Sequence, residues 1–125
     1  MILIDSSMWI EFFAGSDYGK IIRDNPEFRK NEFLVPTIVI FEVHKKLLSE
    51  YGNDLANEFT LYLQNGNIVD LNYNIAIIAS RFSKESKMPM ADSIIYVTSI
   101  MYNCTLFTTD KHFKDLKNVK YFEKK

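Results

Sequence analysis

Four carboxylates in this sequence stand where chemistry, and not only solvation, would place them. Asp5 ends Ile2-Leu3-Ile4, the most apolar strand candidate, where desolvation opposes its charge unless a cation or hydrogen-bond donors compensate. Glu42 interrupts Ile38-Val39-Ile40-Phe41 and Val43, near the apolar face of a helix. Asp92 falls in the first turn of a helix after Pro89-Met90-Ala91, and Asp110 follows Leu106-Phe107-Thr108. Each has an ordinary reading: Asp5 as a helix cap, Glu42 as a partner of Lys45 or Lys46, Asp92 as an acid favoured by the helix dipole, Asp110 as an Asx-turn. As a set they differ, because each lies shortly after a strand or at the start of a helix feeding the next one, so one sheet edge can gather them all. Like charges gathered there raise one another's pKa unless a divalent cation neutralises them. Oxygen donors without histidine or cysteine select the hard ions Mg²⁺ or Mn²⁺, and such a site suits metal-assisted phosphodiester hydrolysis by an activated water.

The elements that must carry these acids alternate. Short apolar runs at 2–4, 33–35, 67–71, 104–108 and 119–122 read as five strands. The first helix opens at a Ser6 or Ser7 cap, buries a stripe of Met8, Trp9, Phe12 and Phe13 and stops at Gly15; Asp17 caps a second through Ile22. Thr37 opens a helix to about 51. Asn53 and Asp54 restart one with Leu55, Phe59, Tyr62 and Leu63 as its buried stripe, ended by Asn65-Gly66. Asn72 or Asn74 caps a helix through 86, and another spans 92–102. Phe113 sits in a short turn. Strands separated by helical runs predict an α/β sandwich with a central, mostly parallel five-stranded sheet flanked by helices. Ligands in such sheets collect beyond the carboxyl ends of the strands, where strand order reverses.

With 125 residues, 47% hydrophobic and 14% aromatic, the chain has the length of one domain, 1–125, and enough large side chains for a core. A lone cysteine, Cys104, excludes an internal disulfide, and the lack of CxxC with only two histidines argues against a thiolate zinc site. No leader and no run of about 18 apolar residues is seen, so the expectation is a cytoplasmic protein with no membrane contact. Gly15 and Gly19 lack the spacing of a phosphate-binding loop, and no GxSxG elbow surrounds Ser6 and Ser7. His44 and His112 read as surface or packing histidines. Trp9, Phe12, Phe13, Tyr51, Phe59 and Tyr62 read as core, with an exposed groove for a partner as the alternative.

The sequence resembles the PIN domain ribonucleases, and in particular the toxin subunits of VapBC-type toxin–antitoxin pairs. The matching stretches are Ile2-Leu3-Ile4-Asp5-Ser6-Ser7, Val35-Pro36-Thr37 through Glu42-Val43, Ala91-Asp92-Ser93-Ile94-Ile95, and Leu106-Phe107-Thr108-Thr109-Asp110-Lys111-His112-Phe113. They come in the family's order and cover nearly the whole chain, departing only at Thr109, where many relatives carry a glycine or another small or polar residue. The resemblance implies the PIN-like three-layer sandwich and a divalent-metal-dependent endoribonuclease. It implies that Asp5, Glu42, Asp92 and Asp110 form the acidic site around Mg²⁺ (or Mn²⁺), with Asp5 and Asp92 as foremost ligands. Ser6 and Thr108 match hydroxyl positions that bond the metal shell or the scissile phosphate. It also implies an RNA substrate, a cognate antitoxin and a homodimer.

The competing class is a non-catalytic α/β module, either a PIN-like RNA-binding scaffold or a receiver-like signalling domain. A receiver needs paired acids after the first strand, a lone Asp after the third and a Lys after the fifth. Here Ser6-Ser7 follow Asp5, Asp70 lies inside the predicted third strand, and Glu123 follows the fifth. The net charge of −1 conceals a polarity: residues 1–80 hold 6 basic and 11 acidic side chains, whereas residues 111–125 hold 6 and 2. Lys111, Lys114, Lys117 and Lys120 are thereby placed to meet phosphates beside Asp110.

Overall fold

Apolar runs too short for helices pair into one sheet in the computed structural model, which describes residues 1–124. The strands are β1 (Ile2–Ile4), β2 (Phe33–Pro36), β3 (Asn67–Val69), β4 (Thr105–Thr108) and β5 (Val119–Tyr121), all parallel, in the order β3-β2-β1-β4-β5. Between them run α1 (Ser6–Ala14), α2 (Asp17–Arg23), α3 (Pro26–Arg29), α4 (Thr37–Tyr51), α5 (Asn53–Leu61), α6 (Tyr73–Ser86) and α7 (Met90–Met101). The central strands β1 and β2 are buried along their whole length, which is why they read as unbroken apolar runs. Among the described residues, no helix is long and apolar enough to cross a membrane.

The chain winds outward from β1 to β2 to β3, then returns to place β4 and β5 on the other side of β1. The reversal therefore falls between β1 and β4, and the register Ile4↔Phe107 sets the residues after these two strands side by side. A receiver orders its strands 2-1-3-4-5, so this topology excludes that module. It does so even though β3 stops at Val69 and Asp70 lies beyond the strand, not inside it as the longer predicted run had it.

Other boundaries shift for local reasons. Asp5, not Ser6 or Ser7, occupies the cap position of α1, because both serine hydroxyls are engaged elsewhere. Ser16, not Asp17, caps α2, its Oγ accepting from Gly19 N–H at 3.3 Å. Asn25 with Pro26 starts the short α3, which hydrophobic periodicity does not reveal. The helix predicted through Asn65 turns 3₁₀ at Tyr62–Asn65. It buries Ala56 and Leu63 and leaves Leu55 and Tyr62 exposed, so the expected stripe is only half right. Asn72 caps α6, its side chain accepting from Ile75 N–H. The predicted fourth and fifth strands each lose a residue, Cys104 and Phe122, and α7 runs slightly earlier than 92–102.

The aromatic residues divide between core and groove. Trp9 is fully buried and packs against Phe28 and Phe33, while Phe12, Phe13, Phe59, Leu61 and Tyr62 line an open apolar groove of about 530 Å³. The α1–α2 corner beside this groove depends on Gly19, where an added Cβ would lie 2.7 Å from the backbone of Glu11 and of Phe12. In a helix interior, glycine to alanine ordinarily gains up to about 1 kcal/mol. Here the backbone must move, so Gly19→Ala is expected to lose roughly 1–3 kcal/mol, read as a lower urea midpoint. An unchanged or raised midpoint would contradict this packing.

Candidate active site

Only one residue separates the end of β1 from the start of α1, and that residue is Asp5. Its N–H donates to Phe107 O at 3.0 Å on β4, and its C=O accepts from Met8 and Trp9 in the first turn of α1. Sheet and helix together thus fix the main chain, and Asp5 as a whole is left 4% exposed at the sheet's carboxyl edge. Oδ2 accepts hydrogen bonds from Thr108 Oγ1 at 2.8 Å and from Ser7 Oγ at 2.9 Å. Burial pushes the Asp5 pKa up to about 6, against the lowering effect of those two hydroxyls.

The same hydroxyls build the neighbouring loop. Thr108 Oγ1 accepts from Asp110 N–H at 2.9 Å, and Ser7 Oγ accepts from Thr109 N–H at 3.2 Å, so the strand that ends in Thr108 delivers Asp110 beside Asp5. Asp110 Oδ1 accepts from His112 N–H at 2.9 Å, the Asx-turn read from the sequence, and the fully buried Phe113 anchors the 3₁₀ turn that follows. This turn carries the His112 ring to Asp92 in the first turn of α7: Nδ1 lies 2.9 Å from Asp92 Oδ2 and 3.4 Å from Asp110 Oδ1. The hydrogen bond to Asp92, and then the charge of Asp110, raise the His112 pKa. Burial, and then the charge of Asp110, raise that of Asp92.

Glu42 is set apart from this group. Its Oε1 accepts from Ser6 Oγ at 2.6 Å, which ties α4 to the start of α1. Neither expected lysine pairs with it, since Lys46 bonds Glu50 at 3.2 Å and Lys45 lies over the Phe41 ring.

Donor atoms of Asp92, Asp110 and His112 all lie within 4.8 Å of one another, with Asp5 behind them close enough for Asp110 to raise its pKa. Two of the four predicted acids are therefore in direct company, and Asp5 joins them through Thr108. Glu42 is linked to the group through Ser6, whose neighbour Ser7 bonds Asp5. His112 lies at the surface, as read from the sequence, but its ring bonds Asp92, so the cluster brings a nitrogen donor among the oxygens. The signal for it is the Asp-x-His spacing, since an Asx-turn returns the residue two places on over the carboxylate. Ser7 was also hidden, behind its reading as a cap. The other histidine, His44, pairs with Thr60 at 2.8 Å, away from the acids.

The donor chemistry fits a divalent cation. Among the described residues no lysine or arginine forms an ion pair with Asp5, Asp92 or Asp110, and one exposed imidazole does not balance three carboxylates.

The sequence matches the family model described as PIN domain over residues 2–119. No curated protein sequence matches it. Among solved structures, the fold is similar to a toxin–antitoxin complex from Klebsiella pneumoniae, with a TM-score of 0.81 at 20% identity over 96% of each chain. VapC20 of Mycobacterium tuberculosis, a sarcin–ricin loop cleaving toxin, gives 0.77 at 13% identity over 94% of this chain and 95% of that one. VapBC2 of Rickettsia felis, bound to a DNA fragment from its promoter, gives 0.74 at 16% identity over 98% and 100%.

The buried carboxyl makes a pH prediction. The Asp5 pKa of about 6 in the folded chain exceeds the value near 3.9 in the unfolded one, so the fold is favoured while Asp5 is protonated, below about pH 4. That stabilisation is lost as pH rises through about 6. In EDTA, Asp5→Asn should melt close to wild type at pH 4 and be the more stable by on the order of 2 kcal/mol at pH 7.5. A difference that does not change with pH would contradict the burial argument.

Proposed function

The chain belongs to the PIN domain family, and from that premise we propose that it is a divalent-metal-dependent endoribonuclease, the toxin of a VapBC-type toxin–antitoxin pair. The observation that carries this reading is the meeting of Asp5, Asp92 and Asp110 at the β1/β4 reversal with no lysine or arginine among the described residues in ion-pair contact with them. Asp92 and Asp110 would hold Mg²⁺ or Mn²⁺, with Asp5 closing the site from behind. A divalent cation bound there supplies Lewis acidity, lowering the pKa of water and offsetting phosphate charge.

The chain's own groups do the rest. Thr108 and Ser7 hydroxyls hold Asp5 Oδ2 in place, so this carboxylate keeps one orientation toward the site. Glu42, steadied by Ser6, is the acid left to orient the attacking water from the α4 side. The first turns of α1 and α7 add the positive ends of two helix dipoles near a phosphate. Water adds across the P–O3′ bond, leaving a 5′-phosphate and a 3′-hydroxyl. Lys111, exposed in the turn that follows Asp110, offers a cation to a flanking phosphate of RNA, whereas Lys114 lies over the Tyr121 ring and Lys120 over the Phe107 ring.

The fold likeness to a sarcin–ricin loop cleaving toxin and to toxin–antitoxin assemblies supports RNA as substrate and an antitoxin as partner. The groove of Phe12, Phe13, Phe59, Leu61 and Tyr62 is a fitting seat for an apolar antitoxin segment. A second apolar groove of about 460 Å³ between α6 and α7, lined by Leu71, Ala76, Met90 and Ile94, supports the homodimer. Cys104, buried and unpaired, fits work in the cytoplasm.

The decisive assay is RNA cleavage with Mg²⁺ or Mn²⁺. Wild type should cut and EDTA should stop it. Asp5→Asn and Asp92→Asn should each lower the rate about 100-fold or more, the rate equivalent of several kcal/mol. Cleavage that persists in EDTA or in both variants would refute the reading, and RNA binding without cleavage in either ion would return the non-catalytic scaffold.

A further inference from the structure

We propose that His112 is itself a ligand of the cation held by Asp92 and Asp110, and that its nitrogen tilts the site toward a first-row transition ion such as Mn²⁺ over Mg²⁺. This rests on the metal site proposed above and adds a donor to it. The spacing is the first support. Two donors about 2.1 Å from one ion and at right angles to each other lie about 3 Å apart. His112 Nδ1 stands 2.9 Å from Asp92 Oδ2 and 3.4 Å from Asp110 Oδ1, so the nitrogen already has a neighbouring ligand's separation from each acid, in a group whose donor atoms all lie within 4.8 Å of one another.

Preorganisation is the second support. The imidazole sits on a turn pinned at both ends: the His112 N–H bonds Asp110 Oδ1, and Phe113, fully buried, donates its N–H to Asp110 O at 3.2 Å. Bringing Nδ1 onto a cation between the two acids therefore needs little movement. In the free chain Nδ1 carries the hydrogen bonded to Asp92 Oδ2; an arriving cation releases that proton to solvent, and with the remaining ring hydrogen on Nε2 the Nδ1 lone pair is offered to the ion. Carboxylates serve Mg²⁺ and Mn²⁺ alike, whereas imidazole favours the transition series and Mg²⁺ prefers oxygen and water. A mixed set of two carboxylates and one imidazole thus discriminates between ions that an all-carboxylate site would treat alike.

The rival role is a placeholder, in which the imidazole covers the acids only until a cation displaces it. The two roles predict opposite signs. Calorimetric titration of the full chain with Mn²⁺ alone and with Mg²⁺ alone separates them, using wild type and His112→Ala, a change at an exposed side chain whose folding is checked by the melting curve. A ligand role predicts that His112→Ala weakens Mn²⁺ binding about tenfold and Mg²⁺ binding less than twofold. It also predicts ¹⁴N coupling from an imidazole in pulsed EPR of the Mn²⁺-loaded wild type, lost in the variant. Unchanged or tighter binding of both ions by His112→Ala, or wild-type Mn²⁺ without ¹⁴N coupling, would overturn the inference while leaving the metal site intact. A wild type that binds neither ion would overturn the inference together with the reading beneath it.

Discussion

A carboxyl group buried at the end of the central strand is the constraint around which the rest of this molecule is arranged. Asp5 must serve as the link between β1 and α1, so its main chain is committed to Phe107 on one side and to the first turn of the helix on the other. Its side chain has nowhere to go but the dry edge of the sheet. Two hydroxyls lessen the cost of that position and do not remove it, since the group still titrates about two pH units above an ordinary aspartate. A cation is the natural remedy, and no lysine or arginine among the described residues supplies one.

Topology explains why further acids collect at the same place. An outward winding from β1 to β3 followed by a return to β4 leaves a crevice between β1 and β4, and the side chains that follow these two strands face each other across it. Thr108 is the hinge of that meeting: one oxygen donates to Asp5 and accepts from the Asp110 amide, so the strand that ends in it positions two carboxylates at once. Asp92 arrives from α7, and Glu42 from α4 stands one hydrogen bond further out. The fold and the site are therefore one problem, because the hydroxyls that order the β4 loop are those that hold the buried acid.

Much of this was legible in the residues. Ile2–Ile4 and Phe33–Pro36 announce buried strands because both faces are covered and every position is apolar. The acids that follow such runs stand out for the same reason. What hid was whatever depends on side-chain geometry. Ser6 and Ser7 look like caps, and only the packing of α4 and β4 against α1 shows that one bonds Glu42 and the other Asp5. Leu55 and Tyr62 fit a helical stripe in sequence, yet Leu55 is exposed and Tyr62, where the helix tightens to a 3₁₀ turn, lies at the rim of the groove against Phe12 and Phe28. His112 is exposed, and an exposed histidine beside lysines carries no apolar signature; its place on Asp92 follows from the Asx-turn at Asp110 and becomes visible only when α7 is docked.

A buried Asp5 held near its ionisation point until a cation arrives must give up its proton when metal binds. Mg²⁺ is titrated into His112→Ala, so that no imidazole contributes a proton, near pH 6 in two buffers of different ionisation heat, and the same pair of titrations is run at pH 8. Binding near pH 6 should expel about half a proton or more per ion, because a carboxyl with a pKa of about 6 is half protonated there, and this release should largely vanish at pH 8. Binding with no proton release near pH 6 would mean that Asp5 is already an ordinary, ionised surface carboxylate, and the account would be wrong at its base.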